Sequence, residues 1–203
     1  MNDSIKDPMI YEGQYPFQAK YAIGKALNVG CNSDGAGIAS RGGVNIDLFR
    51  KDEHTGLDIP AHALADARRL PFKPNSFDSV VLGEILEHMQ TRDAVASLLE
   101  AKTVLRPGGV VVATIPHDDR GGPPDAKEYY PGIAAYHYRE ITRVEFFDWI
   151  KAAGLKLTLW ARIVHIWGKS GTGIVATLCT SCMSSNHYTS KPQTSARPTQ
   201  NQP

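Results

Sequence analysis

The residues able to do chemistry in this sequence fall at the ends of short apolar runs. The first group is Asn28-Val29-Gly30-Cys31-Asn32-Ser33-Asp34-Gly35-Ala36-Gly37. Gly30 lets a ligand approach the backbone, and Gly35 and Gly37 let the chain turn sharply. The spacing is not G-x-G-x-x-G, so it departs from the dinucleotide fingerprint, and a turn of convenience is the alternative. Asp47 closes the next run, where a carboxylate can accept both hydroxyl protons of a ribose or stand as a solvated turn residue. Asp66 can accept from an adenine amino group, with Ala67 leaving room for the flat ring, or it can cap a turn. Gly83-Glu84 ends a fourth run. Glu84 can meet the charged end of an amino-acid-like ligand.

A second set of candidates lies between elements. Residues 116–140 form a connection longer than the ~12–15 residues usual in compact domains. It carries His117, Asp118 and His137, with Tyr129, Tyr130, Tyr136 and Tyr138, a composition suited to a substrate surface. His117, His137 and Asp118 are the candidate bases for a hydroxyl or amine substrate. Glu84, Glu87 and His88 lack the H-E-x-x-H order of a zinc hydrolase, so no metal site is expected. Gly168-Lys169-Ser170 resembles the end of a P-loop, but Ile163 stands where its first glycine should be. Cys179 and Cys182 have a redox spacing without a second pair to complete a metal site.

Elements of an α/β domain must hold these residues. Apolar runs at 26–29, 44–48, 61–65, 77–82 and 110–115 suggest strands covered on both faces, as in a parallel sheet. The interval from Gly30 to Asp47 leaves room for only a brief helix. Val95, Leu98, Leu99 and Leu105 recur at helical spacing over residues 91–105, before the Pro107-Gly108 stop. Thr142 with Glu145 has the spacing of a capping box, and Gly154 can end the helix that follows. Two further strands, 155–167 and 174–179, are separated by a close turn that favours an antiparallel pair. The expected fold is a doubly wound, mostly parallel seven-stranded sheet with one antiparallel strand, in a three-layer α/β/α sandwich.

Composition bounds the remaining choices. The 203 residues suit one domain, and 22 Lys plus Arg against 21 Asp plus Glu leave a formal charge of +1. Near neutrality argues against a strongly electrostatic nucleic-acid or membrane binder. Three cysteines cannot form a dense disulfide framework. The start of the chain has no apolar core of a signal peptide, and no run approaches the ~18 apolar residues of a membrane span. A cytoplasmic protein is expected. The polar residues 1–14 read as an N-terminal extension, 15–180 as the folded domain, and 181–203 as a tail too poor in apolar side chains to order itself.

In ordered succession these segments resemble a class I S-adenosylmethionine-dependent methyltransferase of the methyltransferase domain 11 group. The resemblance is carried by Ala26-Leu-Asn-Val-Gly-Cys31, Val44-Asn-Ile-Asp47, Ala65-Asp-Ala-Arg-Arg-Leu-Pro-Phe72, Ser76 to Met89, and Leu105-Arg-Pro-Gly-Gly-Val110. Tyr138-Arg-Glu-Ile-Thr-Arg-Val-Glu-Phe146 extends it. It implies S-adenosyl-L-methionine as cofactor, lined by Asn28, Gly30, Cys31, Asp47, Leu48, Asp66, Ala67, Gly83 and Glu84. Within this, Asp47 would hold the ribose, Asp66 and Ala67 the adenine, and Gly83 and Glu84 the methionine side. The sequence departs from the family at Asn28, where an acid is usual, and at Asn32 and Asp34, where glycines are usual.

The implied reaction is methyl transfer to a small-molecule, sugar or lipid-linked nucleophile. Gly83-Glu84-Ile85-Leu86 after the fourth strand departs from the Asn or Asp, two prolines and aromatic usual in nucleic-acid amino methylation. A nicotinamide-dependent oxidoreductase and a non-catalytic cofactor-binding homologue are the alternatives.

Overall fold

A computed structural model describes residues 9–52, 55–116, 141–164 and 170–178. The strands are β1 (Met9–Glu12), β2 (Ala26–Val29), β3 (Val44–Asp47), β4 (Ala63–Leu64), β5 (Phe77–Gly83), β6 (Leu105–Pro116), β7 (Leu155–Val164) and β8 (Ser170–Leu178). The helices are α1 (Gln14–Tyr21), α2 (Thr91–Val104) and α3 (Arg143–Ala152). One sheet runs in the order β1-β7-β8-β6-β5-β2-β3-β4. Strand β8 is antiparallel to both β6 and β7, and every other pairing is parallel. This is the mostly parallel sheet with one antiparallel strand expected from the sequence, with eight strands in place of the seven expected.

The central strands show why both faces must be covered. Successive side chains point to opposite faces. Val80 and Leu82 of β5, with Val111, Ala113 and Ile115 of β6, enter one apolar core. Val81 and Val112 enter the other. The first core is completed by α2 and α3 through Leu98, Ala101, Val104, Phe146, Trp149 and Ile150. The second is completed by Phe17 of α1 and by Ile38. A strand buried on both sides needs a nearly continuous apolar run, and β5 and β6 have one, with the buried Ser79 and Thr114 as polar exceptions.

Helix α3 starts where its capping sequence places it. Thr142 Oγ1 accepts the Glu145 amide at 3.2 Å, and the flanking Ile141 and Phe146 are both buried, at 1% and 0% exposure. That is the capping contact together with its apolar staple. The chain then turns out through Gly154 at φ +66°. The Arg106-Pro107-Gly108-Gly109 segment, legible as a turn, lies instead inside β6. The pairing with β5 shifts there, from Phe77 opposite Leu105 to Ser79 opposite Val110.

The eighth strand and its helix were not legible. Strand β1 adds an edge parallel to β7, with Met9 opposite Ala161 and Glu12 opposite Val164. Four residues carry too short a pattern to announce a strand, and pairing with a distant segment defines this one. Helix α1 buries only Phe17 and Gln18. Its anchor is local aromatic packing: the Phe17 ring lies 5.2 Å from that of Tyr11 and 4.9 Å from that of Tyr21. The proposed tail at 181–203 lies outside the described residues. No helix among the described residues is long and apolar enough to cross a membrane.

Candidate cofactor site at the carboxyl edge of the sheet

Strand order reverses between β2 and β5, which pair with Val29 opposite Leu82. In open α/β sheets such a reversal opens a crevice beyond the carboxyl ends of the strands. Gly30 leaves β2 on one side of it, and Gly83-Glu84 ends β5 on the other. Asp47 closes β3, and Asp66 follows β4, whose exit is fixed by the Ala65 amide donating to the Asp47 carbonyl at 2.8 Å. The sheet thus brings the four sequence-derived groups to one edge.

Asp47 organises the middle of this edge. Its residue exposure is 8%, its Oδ2 accepts the Asn32 amide at 3.1 Å, and its Oδ1 accepts the Phe49 amide at 3.1 Å. Each carboxylate oxygen has two acceptor directions, so amide binding leaves capacity for ribose hydroxyls. Leu48 and Phe49, beside it, are half exposed, an apolar surface on which a flat ring can rest.

The loop after β2 is held by an acid of its own. Asp34 Oδ1 accepts the Ile38 amide at 2.8 Å and Asn28 Nδ2 at 3.3 Å, while Oδ2 accepts the Ala39 amide at 3.0 Å. Asn28 also donates to Asn45 Oδ1 at 3.3 Å and is buried. The helical material between Gly30 and Asp47 is one 3₁₀ turn, Ala39–Arg41, and Asp34 caps its entry. Cys31 is a buried free thiol, pushed up to about 12 by burial and then by the Asp47 and Asp34 carboxylates.

Three glycines here make room for protein rather than for open space. A Cβ on Gly30 would strike Ile85 Cγ2, one on Gly83 would strike Gln18 Nε2, and one on Gly35 would enter the Tyr15 ring. Gly30 is also held at φ +68°, which favours glycine. Sequence reasoning gave Gly30 and Gly83 to ligand approach and Gly35 to a sharp turn, because the neighbours that fill the space, Ile85, Gln18 and Tyr15, are distant in sequence.

After β4, Ala67 is buried and Asp66 is engaged with Arg68. Arg68 Nη2 lies 2.6 Å from Asp66 Oδ2, and the Arg68 amide and Nε donate to Oδ1 at 2.8 and 2.9 Å. The Arg68 side-chain hydrogen bond holds the Asp66 carboxyl below its ordinary range. After β5, Glu84 stands at φ +54°, and its amide donates to the Thr114 carbonyl at 3.0 Å. Although the residue is partly exposed, its Oε1 is enclosed, and burial pushes the carboxyl up to about 7 against an opposing Thr114 hydrogen bond. Glu87 is 1% exposed and is raised well above its ordinary value by burial and then by Glu84. Such shifts gather where function demands a particular protonation state.

His117, Asp118 and His137, the candidate bases, lie outside the described residues. Sequence reasoning missed the roles of Asp34, Asn45, Gln18 and Thr114. No local spacing could have paired Gln18 with Thr114, which meet only because α1 crosses the β5–β6 edge. Among the described residues, no group of three or more His, Cys, Asp or Glu is arranged to hold a metal ion.

The methyltransferase domain family matches residues 44–113, which include β3 to β5, α2 and most of β6. No curated protein matches the chain. Among solved structures, the [4+2]-cyclase SpnF is similar over 81% of this chain and 80% of its own, with TM-score 0.61 and 15% identity. A Thermotoga maritima S-adenosylmethionine-dependent methyltransferase matches over 81% of this chain and 89% of its own, with TM-score 0.61 and 15% identity. One from Methanosarcina mazei matches over 82% and 99%, with TM-score 0.60 and 17% identity. The fold is therefore that of class I S-adenosylmethionine-binding methyltransferases. Because a cyclase shares it, the fold by itself leaves the reaction to be argued from the site.

Proposed function

We propose that the chain binds S-adenosyl-L-methionine and transfers its methyl group to a small-molecule, sugar or lipid-linked nucleophile. The observation that carries this reading is the placement of Asp34. In dinucleotide-binding folds, amides at the start of the first helix receive a diphosphate. Here the Ile38 and Ala39 amides are already taken by the Asp34 carboxylate. A diphosphate would meet that negative charge, with Asp47 close behind the same loop. A cofactor without phosphate and with a cationic centre fits this donor set. The nicotinamide alternative loses its binding device.

In this reading Asp47 accepts the ribose hydroxyls, and Leu48, Asp66 and Ala67 border the adenine. Asn28, Gly30 and Cys31 shape the loop beneath the nucleoside, while Gly83 and Glu84 border the amino-acid end. When bound, adenosylmethionine supplies a methyl group on a cationic sulfur, open to displacement by a nucleophile. The protein's part is to hold the acceptor in line and keep water away, since positioning supplies much of the acceleration in such transfers. For an acceptor that arrives protonated, His117, His137 or Asp118 is the proposed base on sequence grounds.

Calorimetry with adenosylmethionine, adenosylhomocysteine and NAD, followed by labelled-methyl transfer to pools of hydroxylated and amino acceptors, tests the reading. Micromolar binding of the adenosyl ligands with labelled product is the expected result. Binding of NAD in place of both adenosyl ligands would overturn it, and adenosyl binding without any labelled product would favour the non-catalytic homologue.

A further inference from the structure

Gln18 is a polar side chain in a place that packing alone would give to an apolar one. It is 4% exposed, on α1 next to the fully buried Phe17. Burying an amide is costly unless its hydrogen bonds are made. Its Nε2 donates to Thr114 Oγ1 at 3.0 Å, across 96 positions of sequence. Thr114 is itself 0% exposed and sits opposite Gly83 in the β5–β6 register. The bare α-carbon of Gly83 leaves the space that the Gln18 amide occupies.

The Thr114 hydroxyl has one proton to give. With Gln18 donating to its oxygen, that proton is left for another acceptor, and the Thr114 side chain favours the ionised form of the Glu84 carboxyl. Thr114 holds the Glu84 backbone through its carbonyl, which accepts the Glu84 amide at 3.0 Å. Glu84 needs the hold. A non-glycine residue at φ +54° persists only where its surroundings enforce the conformation. Gln18, Thr114 and Glu84 thus follow one another, and Glu84 stands where β5 ends, at the border of the crevice between β2 and β5.

We propose that Gln18 is a positioning residue for the amino-acid end of the cofactor, acting through Thr114 on the Gly83-Glu84 turn that presents the Glu84 carboxyl. The inference rests on the adenosylmethionine reading above. It gives α1 a specific role in ligand choice. The helix selects for a nucleoside that carries an α-ammonium group, because only such a ligand can engage the carboxyl that Gln18 and Thr114 aim. Adenosylhomocysteine has that group. Methylthioadenosine has the same adenosine and a sulfur but lacks the aminocarboxypropyl tail.

The test compares the two ligands by calorimetry on the full chain. Gln18→Met keeps the volume and removes the donor, Thr114→Val removes the relay hydroxyl, and Thr114→Ser restores it. Gln18→Met and Thr114→Val are each expected to weaken adenosylhomocysteine about tenfold and leave methylthioadenosine within twofold, with Thr114→Ser close to the unaltered chain. Thermal melts of each variant confirm folding before titration. Equal weakening of both ligands, or no weakening of either, overturns the inference while the cofactor reading stands. An unaltered chain that binds neither nucleoside overturns the cofactor reading, and the inference falls with it.

Discussion

The Asp47 carboxylate accepts the backbone amide of Asn32 at 3.1 Å, so the proposed ribose acceptor also latches the loop after β2. Asp47→Ala removes both functions. It is expected to weaken adenosylhomocysteine and methylthioadenosine alike, by about 10- to 100-fold, because both carry the ribose. Asp47→Asn, which keeps an acceptor for an amide but loses the charge, should fall between. Unchanged calorimetric affinity in the alanine variant would remove the ribose assignment.

Glu84 makes the stability of the fold depend on pH. Its folded carboxyl sits at about 7 against an ordinary 4.5, because burial penalises the charged form. The folded state thus holds the proton more tightly than the unfolded chain. The favourable contribution is complete below about 4.5 and is lost as pH rises through 7. Glu84→Gln removes this titration and relieves the repulsion that helps raise Glu87. Urea unfolding of the ligand-free protein should show Glu84→Gln more stable than the parent at pH 8, on the order of 2 kcal/mol, with a much smaller gap at pH 5. A gap independent of pH would contradict it.

Asp34 is predicted to be the main support of the loop. Asp34→Ala leaves the Ile38 and Ala39 amides without their acceptor and Asn28 without one of its two. A loss of about 1–3 kcal/mol in unfolding free energy is expected. Asn28→Ala should also destabilise through Asn45. A double-mutant cycle should show coupling between positions 28 and 34, because they share a hydrogen bond. Strict additivity would place the two residues in separate roles.

Gly30 and Ile85 provide a steric test of how tightly the crevice is built. Gly30→Ala meets the Ile85 side chain and places alanine at φ +68°. The backbone part alone costs roughly 1–2 kcal/mol. Adding Ile85→Ala should recover the collision but not the backbone cost, so the double variant is expected to be more stable than the sum of the singles predicts. Chemical denaturation of all four proteins measures this.

Cys31 should be nearly inert although it borders the proposed site. Its thiol is buried and held protonated, with a pKa of about 12, so little thiolate exists at pH 8. Peptide-resolved mass spectrometry after iodoacetamide treatment should show Cys31 labelling at least about 100-fold slower in the native protein than in urea. Rapid native labelling would show that the loop opens readily.

The sequence by itself determined the frame and the edge. Doubly buried strands demand continuous apolar runs, so β2, β3, β5 and the second half of β6 announced themselves. The Thr142 cap and the apolar face of α2 are local patterns that survive without their partners. Because ligands gather beyond strand ends, Asp47, Asp66 and Glu84 could be named as candidates from position alone.

Tertiary structure decided what those residues are attached to. Nothing in the spacing of Gln18, Thr114 and Glu84 links them, since they meet only where α1 crosses β6 beside the end of β5. The partners of the site glycines are likewise distant in sequence, and so is the β7 edge that orders Met9–Glu12. Local patterning fixes which face of an element is buried; long-range packing fixes which polar groups must satisfy one another, and that second choice sets the chemistry at this edge of the sheet.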